Sequence, residues 1–590
     1  MNGKHIGTAL MLAVMLCVYS VCFALTDPTP EPTPEPTPEP TRDSPAETEM
    51  IQYWKLVDTL QFEPQEGLDS VVAWTVFDAS GEIADYHRNP KERIYMPAGD
   101  EYTRVRLGVL THRNNAFRQN ASTGTVDDPS GLEVLWRMDT LPSGDDTESS
   151  AAAEWTGQPV IARWSIQVRE ASDLFEDKKN KKALKEVIVP GADGMIRFLD
   201  LEDGKETRQA ANPGMPVEGT PCLAPNGVPY LAVQTAGQGA DSLLQYNLYT
   251  GERMPSAENQ EQLLWYEVIS ALFRTAEDPS AGFPGDLTVR SSPVIDRMSD
   301  TLITAGENGE LCLVGLNSNF DYRTATFDIS PSFTAMRASV TGKETAAVEA
   351  SLAACGWYVF YADMAGNLFC VDTDSLSPVW MAETGDAVLS AVALDSRKDG
   401  ELDLYTANTL SIRESGDAQV RRFNALNGKE IWCRNVGVEK DPERGTASGF
   451  AASPVIGEWK LSNLVFYTVT GLNDEGRKTL DAAEGAKAAV IALDKETGEI
   501  RWVSELQDGC ISSPAAIYDG EGNGWIVQCE RNGTILLMEG LTGYVTAYLC
   551  VDGEILSSPA IYNDVMVVRT TGGSTGAVYG IHILSGSDTE

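Results

Sequence analysis

Short apolar segments recur along most of this chain, and turn-forming residues separate them. Many begin just after a small residue and proline, as in Ser291-Ser-Pro-Val-Ile295 and Ser557-Ser-Pro-Ala-Ile561. Two-residue turns such as Asn308-Gly309 and Asn532-Gly533 join neighbouring segments, and these residues tolerate the positive φ of a tight hairpin. A further strand, a glycine turn and a tryptophan follow, as in Val490 to Trp502. The pattern predicts a repeated antiparallel sheet of four strands.

These motifs resemble the repeat of pyrroloquinoline-quinone (PQQ) enzymes, whose usual core reads Ala-Leu-Asp-x-x-Thr-Gly-x-x-x-Trp. The match is fullest from Ala492 to Trp502. Thr111 to Asn120 is similar to the Phe-Arg-Gly-Asn type of segment that precedes such repeats. The resemblance covers residues 105–584 and implies an all-β fold, a β-propeller of four-stranded antiparallel blades, in an exported bacterial protein.

Counting the repeat gives units that begin near residues 155, 219, 291, 350, 390, 451, 512 and 557. The last unit, Ser557 to Leu584, holds only three predicted strands, whereas Leu132 to Trp136 has the fourth-strand pattern but precedes the first unit. If residues 132–140 complete the last blade, the ring has no open seam. We therefore predict an eight-bladed propeller closed in this way, with seven blades as the alternative.

Several segments are predicted to lie outside the ring. Residues 1–25 have the basic start and apolar run of a signal peptide, and the run is nearly long enough to serve as a membrane anchor instead. Residues 26–49 repeat Thr-Pro-Glu-Pro, which favours an extended stalk or a disordered spacer. In residues 50–104 the alternating patterns Val71 to Phe77 and Tyr102 to Val109 predict a small β-rich segment, and residues 585–590 form a tail.

The net charge of -41, from 86 acidic and 45 basic residues, disfavours nucleic acid and anionic lipid as partners. We therefore expect membrane contact only through the N-terminal segment, and a monomeric propeller outside the cytoplasm, secreted or tethered at the cell surface. Eight of the ten cysteines follow residue 25, but none forms a C-x-x-C motif or has a histidine at ligand spacing, so zinc is not predicted.

No catalytic set is predicted. The four histidines, at positions 5, 87, 112 and 582, are too dispersed in the sequence to indicate a histidine-dependent triad or a multi-histidine metal site. For an active enzyme the resemblance implies PQQ, a calcium ion and an aspartate base, and in many alcohol-oxidising members two adjacent cysteines. No Cys-Cys pair occurs, and no aspartate base or calcium set aligns residue by residue. We expect neither PQQ nor enzyme activity, since the repeat indicates fold alone.

Two polar loops are candidate calcium sites, because oxygen side chains that alternate before glycine can wrap a hard cation. The candidate ligands are Asp395, Asp399, Asp403, Asp519, Glu521 and Asn523. Arg397 stands where an oxygen ligand would be needed, so ordinary hairpin loops are the alternative.

The sequence thus favours a non-catalytic scaffold that binds another protein or a component of the cell envelope. The alternative is a surface sensor that binds a carbohydrate or another small ligand in the central funnel, and a PQQ-dependent dehydrogenase is the third reading. An exposed aromatic surface would indicate a protein partner, whereas aromatic rings inside a funnel would indicate a sugar or a flat cofactor.

Overall fold

A computed structural model of the chain describes residues 59–78, 81–140, 155–191, 193–235, 243–250, 252–253, 291–306, 309–321, 323–343, 346–397, 400–411, 413–440, 448–572 and 576–586. The predicted signal or anchor, the proline-rich linker, residues 587–590 of the tail and Asp399 lie outside these ranges. Within them, no helix is both long and apolar enough to cross a membrane.

Eight of the sheets follow one another in chain order around a ring, which confirms the all-β, eight-bladed propeller. From the inner to the outer strand, blade 1 consists of Val160–Trp164, Leu184–Pro190 and Ile196–Asp200, and blade 2 consists of Cys222–Leu223, Tyr230–Gln234, Leu243–Asn247 and Glu252–Arg253. Blade 3 consists of Val294–Asp296, Thr301–Ala305, Glu310–Gly315 and Ser332–Val340, and blade 4 consists of Ala353–Cys355, Tyr358–Ala362, Asn367–Asp372 and Ser377–Glu383. Blade 5 consists of Ala393–Ser396, Leu402–Ala407, Ser415–Asn424 and Glu430–Glu439, and blade 6 consists of Val455–Ile456, Leu464–Thr470, Ala488–Asp494 and Ile500–Leu506. Blade 7 consists of Ala515–Tyr518, Gly524–Cys529, Thr534–Glu539 and Val545–Cys550, and blade 8 consists of Ala560–Tyr562, Val565–Thr571, Gly576–Ser585 and Pro129–Thr140.

The remaining elements are mostly short. In blade 1 the outermost segment makes only isolated bridges, Ile196 with Ala211 and Leu199 with Glu206. The further strands are Val72–Asp78, Gly81–Ile83, Gly108–Val109, Ser122–Thr123, Asn319–Asp321, Thr326–Asp328, Thr409–Leu410, Ser448–Gly449 and Glu554–Ile555. The α-helices are Ile166–Ala171, Glu176–Lys179 and Asp474–Leu480, and the 3-10 helices are Leu68–Ser70, Pro90–Glu92, Gly99–Thr103 and Trp459–Leu461.

Blade 8 is built from both ends of the ring, as predicted. Pro129–Thr140 pairs antiparallel with Gly576–Ser585, with Asp139 opposite Ala577 and Leu132 opposite Ile583. The indole of Trp136 then reaches blade 1, where its Nε1 donates a 2.8 Å hydrogen bond to the carbonyl of Leu201. This closure covers an edge of the last sheet that would otherwise offer unpaired backbone groups.

The repeated tryptophan docks one blade on the next. Trp380, Trp432 and Trp502 each donate a hydrogen bond from Nε1 to a backbone carbonyl of the following blade, at 2.8 to 3.0 Å. Each indole also lies over the glycine of that blade's turn. A Cβ on Gly498, for example, would be only 2.6 Å from the Trp432 ring. The glycine and the tryptophan of the motif are therefore two halves of one contact between neighbouring repeats.

The two alternating patterns of residues 50–104 differ in outcome. Val72–Asp78 is a strand, and it extends blade 3 by pairing with its outer strand Ser332–Val340. The second pattern yields only the short strand Gly108–Val109, preceded by the 3-10 helix Gly99–Thr103. A longer strand has no partner there, because the residues that follow leave the edge of blade 1 and cross the ring.

Candidate functional site

One segment, residues 107–121, fills the centre of the ring; we call it the axial segment. The inner strand of a blade has no neighbour on its inner side, so its backbone donors need other acceptors. Seven inner strands each donate an N–H to this segment: Arg163 to Leu107 O, Leu223 to Leu110 O, Ala354 to Ala116 O, Leu394 to Phe117 O, Ile456 to Gln119 O, Ala516 to Asn120 Oδ1 and Ile561 to Ala121 O, all at 2.8 to 3.0 Å. Blade 3 donates from Ile295 N to the hydroxyl of Tyr102, at 3.1 Å.

Two buried arginines of the axial segment donate hydrogen bonds to backbone carbonyls that lie just before inner strands of the blades. Arg113 donates to the carbonyls of Pro454 and Pro514 at 2.7 and 2.5 Å. Arg118 donates to the carbonyls of Leu352 and Ser292 at 2.7 and 2.5 Å. Burial lowers the pKa of Arg113 to about 9 and that of Arg118 to about 10, so both stay mainly protonated at neutral pH. The segment that resembles a lead-in to the repeat is thus a structural plug.

The serines and threonines before the inner strands link the blades to one another. A backbone N–H of one blade donates to the hydroxyl of the next: Gln158 to Thr220, Thr220 to Ser292, Ser292 to Ser351, Ala391 to Ser453, Ser453 to Ser513 and Ser513 to Ser558, all at 2.9 to 3.1 Å. Ser558 N donates to Gly157 O and returns to blade 1. The recurring small residue before the proline therefore links neighbouring blades of the ring, a role that the sequence pattern did not predict.

Beside the axial segment lies a funnel of about 500 Å³ that these hydroxyls line. His112 lines the funnel, with its ring nitrogens 3.2 Å from Thr220 Oγ1 and 3.0 Å from Ser453 Oγ. Burial, together with the nearby Arg118 and Arg113, holds the pKa of His112 well below its usual range. His112 is therefore neutral at physiological pH and acts as a hydrogen-bonding spacer between blades 2 and 6.

The funnel lining does not fit PQQ, a cofactor with three carboxylates. The described lining residues include Glu218 and Glu349 but no lysine or arginine. These two glutamates would repel the carboxylates of PQQ, and no basic side chain of the lining would offset that repulsion. Trp155, the lining aromatic residue, already has the Arg569 guanidinium 5.6 Å from its ring centroid. No cluster of three or more metal-binding side chains occurs in the part of the chain that the structure describes.

Two acidic residues of the first candidate calcium loop form ion pairs with basic residues outside the loop. Asp395 accepts a 2.7 Å hydrogen bond from Lys495 Nζ, and Asp403 accepts one of 2.9 Å from Arg422 Nη2. Asp399, the third candidate ligand, lies outside the described residues. A cation at this loop would have to displace or share these two basic partners.

In the second candidate loop, Asp519 caps its own turn. Its Oδ1 accepts from the backbone N–H groups of Glu521 and Asn523 at 2.9 and 2.8 Å, and its Oδ2 accepts from Asn523 Nδ2 at 2.6 Å. Lys460 Nζ donates to Asn523 Oδ1 at 2.7 Å. This is the hydrogen bonding of an Asx turn. Calcium binding at either loop stays a prediction.

Four large, exposed side chains lie on blade 7 and the adjoining loop of blade 6. They are Trp459, Leu541, Tyr544 and Tyr548, which are 71%, 53%, 72% and 70% exposed, and we call them the blade 7 surface. The loop and blade 7 are joined by hydrogen bonds from Lys460 N to Gly522 O at 3.1 Å and, within the blade, from Gly540 N to Gly524 O at 2.8 Å.

Trp459 is held in an unfavourable backbone conformation. Its φ is 51°, and the left-handed region costs an L-residue with a side chain about 1–2 kcal/mol. The base of its side chain lies so close to blade 7 that a Cβ on Gly522 would be 3.0 Å from the Trp459 Cβ. Strain of this kind at a solvent-exposed aromatic side chain is typical of functional positions.

Comparison with known proteins agrees with the repeat. Residues 486–589 match the family model of the outer membrane protein assembly factor BamB, a PQQ-type repeat family. No curated protein matches the chain in sequence.

Three solved propellers are similar in structure. Quinohemoprotein alcohol dehydrogenase from Comamonas testosteroni is 12% identical over 82% of both chains, with a TM-score of 0.49. The enzyme ADHIIG of the same class from Pseudomonas putida HK5 is 10% identical over 81% of this chain and 80% of its own, with a TM-score of 0.48. BamB from Moraxella catarrhalis is 14% identical over 51% of this chain and 88% of its own, with a TM-score of 0.27. At these scores none of them carries an argument about activity. The sheets establish that this chain is an eight-bladed β-propeller, and its residues 486–589 match a PQQ-type repeat family.

Proposed function

We propose that this chain is a non-catalytic, extracytoplasmic scaffold that binds another protein of the cell envelope through the blade 7 surface. The proposal includes the N-terminal segment as its means of export or tethering. Propellers suit this role because a rigid ring presents loops and outer strands on several sides.

The observation that carries the proposal is the exposure of three aromatic side chains on blade 7 and the adjoining loop of blade 6, namely Trp459, Tyr544 and Tyr548. Large aromatic residues dominate the energetics of protein interfaces because they bury much area with few rotatable bonds. A monomer gains nothing from leaving them in water. The polar groups at the centre of the ring, by contrast, are largely engaged with one another and with the axial segment.

A co-purification experiment tests the proposal. The full-length chain is tagged and recovered from the envelope fraction of its own cells, beside a variant with Trp459→Ala, Tyr544→Ala and Tyr548→Ala. A matched control carries Ile166→Ala, Met298→Ala and Ile431→Ala, which remove exposed apolar side chains elsewhere on the ring. We expect a protein that accompanies the wild type and the control but is lost from the blade 7 variant. If the blade 7 variant retains every partner of the wild type, the proposal is wrong.

The funnel supports a second candidate, a sensor for a small ligand such as a carbohydrate. Its volume of about 500 Å³ lies within the range of ligand pockets, and hydroxyls of Thr220 and Ser453 line it. A panel of sugars should then raise the melting temperature of the wild type. The variant Ile511→Trp, which fills the funnel, should abolish that effect. Sugars that stabilise both proteins equally would exclude the funnel as their site.

A further inference from the structure

We propose that the outer strand of blade 7, Val545–Cys550, binds an extended segment of the partner protein by β-strand addition. The segment would have a centre of uncharged β-branched or aromatic residues and basic residues at its ends. This inference rests on the proposed function and specifies how the partner is held.

The first argument is the direction of the backbone groups at this edge. Among the described strands, Val545–Cys550 pairs only with Thr534–Glu539. Val551 N donates to Gly533 O at 2.9 Å, and the alternation of an antiparallel ladder continues through Leu549 and Ala547. Tyr548 and Cys550, which alternate with them, therefore point their N–H and C=O groups away from the blade, whereas Thr546 lies at a bulge opposite Leu537. Their side chains are exposed as well.

The outer strand of blade 7 also lacks charged residues. The run from Tyr544 to Val551 contains no charged residue and no proline, in a chain whose net charge is -41. Every other outer strand that the structure describes contains at least one charged residue: Glu252–Arg253, Ser332–Val340, Ser377–Glu383, Glu430–Glu439, Ile500–Leu506 and Pro129–Thr140. Charges and prolines are what normally keep exposed edges from pairing with other chains. Blade 7 lacks that protection, as expected of an edge that has a partner.

The third argument is that the protein already binds a strand in this way. The outer strand of blade 3 is covered by Val72–Asp78, which pairs with it from Val72 opposite Val340 to Asp78 opposite Thr334. Val76 and Phe77 are buried by this pairing. An outer edge of this ring is therefore geometrically able to accept an added strand.

The net negative charge of the protein indicates what kind of partner segment would bind at the blade 7 edge. Glu539 precedes the turn into the outer strand of blade 7, and Asp552 follows that strand and lies 3.7 Å from Arg137 Nη2. The whole chain has nearly twice as many acidic as basic residues. Basic residues flanking the docked strand would be attracted to both ends. A second copy of this chain would instead bring the same two acids and a further net charge of -41 to the edge. The observations therefore favour a different protein over self-association.

A synthetic probe tests strand addition directly. The probe is the fluorescein-labelled peptide Lys-Lys-Val-Thr-Val-Tyr-Val-Thr-Lys-Lys, and its binding to the full chain is measured by fluorescence anisotropy. The variant Tyr548→Pro removes an outward N–H but leaves the ladder through Leu549 and Ala547 intact. The matched control is Val503→Pro, at the equivalent repeat position of blade 6. We expect Tyr548→Pro to weaken the peptide roughly tenfold or more, and Val503→Pro to leave its affinity unchanged.

A second variant keeps the test valid if the proline disturbs folding. Thr546→Lys adds a charge at an exposed edge position without changing the backbone, and it should also weaken the basic peptide. Equal affinity of the wild type, Tyr548→Pro and Thr546→Lys would overturn the inference. So would dimerisation of the wild type, seen by sedimentation and lost in Tyr548→Pro, because the edge would then belong to a second copy.

The two proposals fail in distinguishable ways. If the peptide does not respond to the edge variants but co-purification still depends on the blade 7 surface, strand addition is wrong and the scaffold function stands. If co-purification is independent of the blade 7 surface, the scaffold function fails whatever the peptide does.

Discussion

Replacing Gly498 with alanine perturbs the contact that joins blade 5 to blade 6. Gly498 lies under the indole of Trp432, and Trp432 Nε1 donates a 2.8 Å hydrogen bond to Lys495 O. The backbone at Gly498 has a φ of 67°, where a side chain costs about 1–2 kcal/mol. The new methyl group would also lie 2.6 Å from the Trp432 ring. The indole must move, and the loss of its hydrogen bond costs about 1 kcal/mol more.

The matched control is Gly214→Ala. Gly214 has a φ of 78°, but nothing lies within 4 Å of an added Cβ. This variant reports the backbone strain alone, while Gly498→Ala reports strain plus the lost tryptophan contact. The difference between the two changes in stability therefore isolates the docking of one blade on the next.

Differential scanning calorimetry measures this difference. An unfolding entropy of about 2.1 cal/mol/K per residue, over a ring of roughly 500 residues, makes 1 kcal/mol equal to a shift of about 1 °C. We expect the melting temperature to fall by about 3 °C in Gly498→Ala and by about 1–2 °C in Gly214→Ala. Equal shifts in the two variants would refute the reasoning that glycine and tryptophan act as one contact.

Three further predictions concern closure, protonation and calcium. Deletion of residues 130–140 should lower the melting temperature of the whole ring and cause aggregation, because it uncovers the edge of Gly576–Ser585; unchanged melting and solubility would contradict the closure model. The depressed pKa of His112 means that the unfolded chain binds this proton and the folded chain does not, so stability should fall as the pH drops below about 6.5. His112→Gln should flatten the decline of melting temperature between pH 7 and pH 5, and parallel profiles would argue against this assignment. If calcium binds the second loop, chelation should lower the melting temperature of the wild type but not of Asp519→Ala, whereas no response to chelation would exclude the site.

Much of the ring could be predicted because its signals are local. The turn glycine and the tryptophan lie within one repeat, as in Ala492 to Trp502, and their recurrence along the chain predicts the four-stranded blades. Only the structure shows that the tryptophan of one repeat covers the glycine of the next. The closure by Leu132 to Asp139 followed from counting strands, since one unit lacked a strand and one strand lacked a unit. Both inferences needed only the number and order of elements.

The axial segment could not be predicted in the same way. It binds the inner strands mostly through backbone carbonyls, such as those of Leu110 and Ala116, and any residue type supplies a carbonyl. Its contacts also join positions far apart in sequence, such as Arg113 with Pro514. Likewise, alternation identified Val72–Asp78 as a strand, but alternation does not name the sheet that a strand joins.

The sequence signal for the blade 7 surface is the absence of charged residues. A run without charge from Tyr544 to Val551 is unusual in so acidic a chain, yet inside one repeat it reads as an ordinary apolar strand. Only the arrangement of the blades shows that the strand lies at the outside, where Tyr548 is exposed. Comparison among repeats at the same structural position, rather than along the sequence, is what reveals the exception.

Site-specific photo-crosslinking in intact cells tests the scaffold function most directly. A benzophenone amino acid replaces Tyr544 or Tyr548 in the full-length protein, and Trp74 or Phe175 in matched controls, all of them exposed aromatic positions. The account predicts an adduct with one and the same envelope protein from both blade 7 positions and none from the controls. Adducts from the controls alone, or none from Tyr544 and Tyr548, would contradict it.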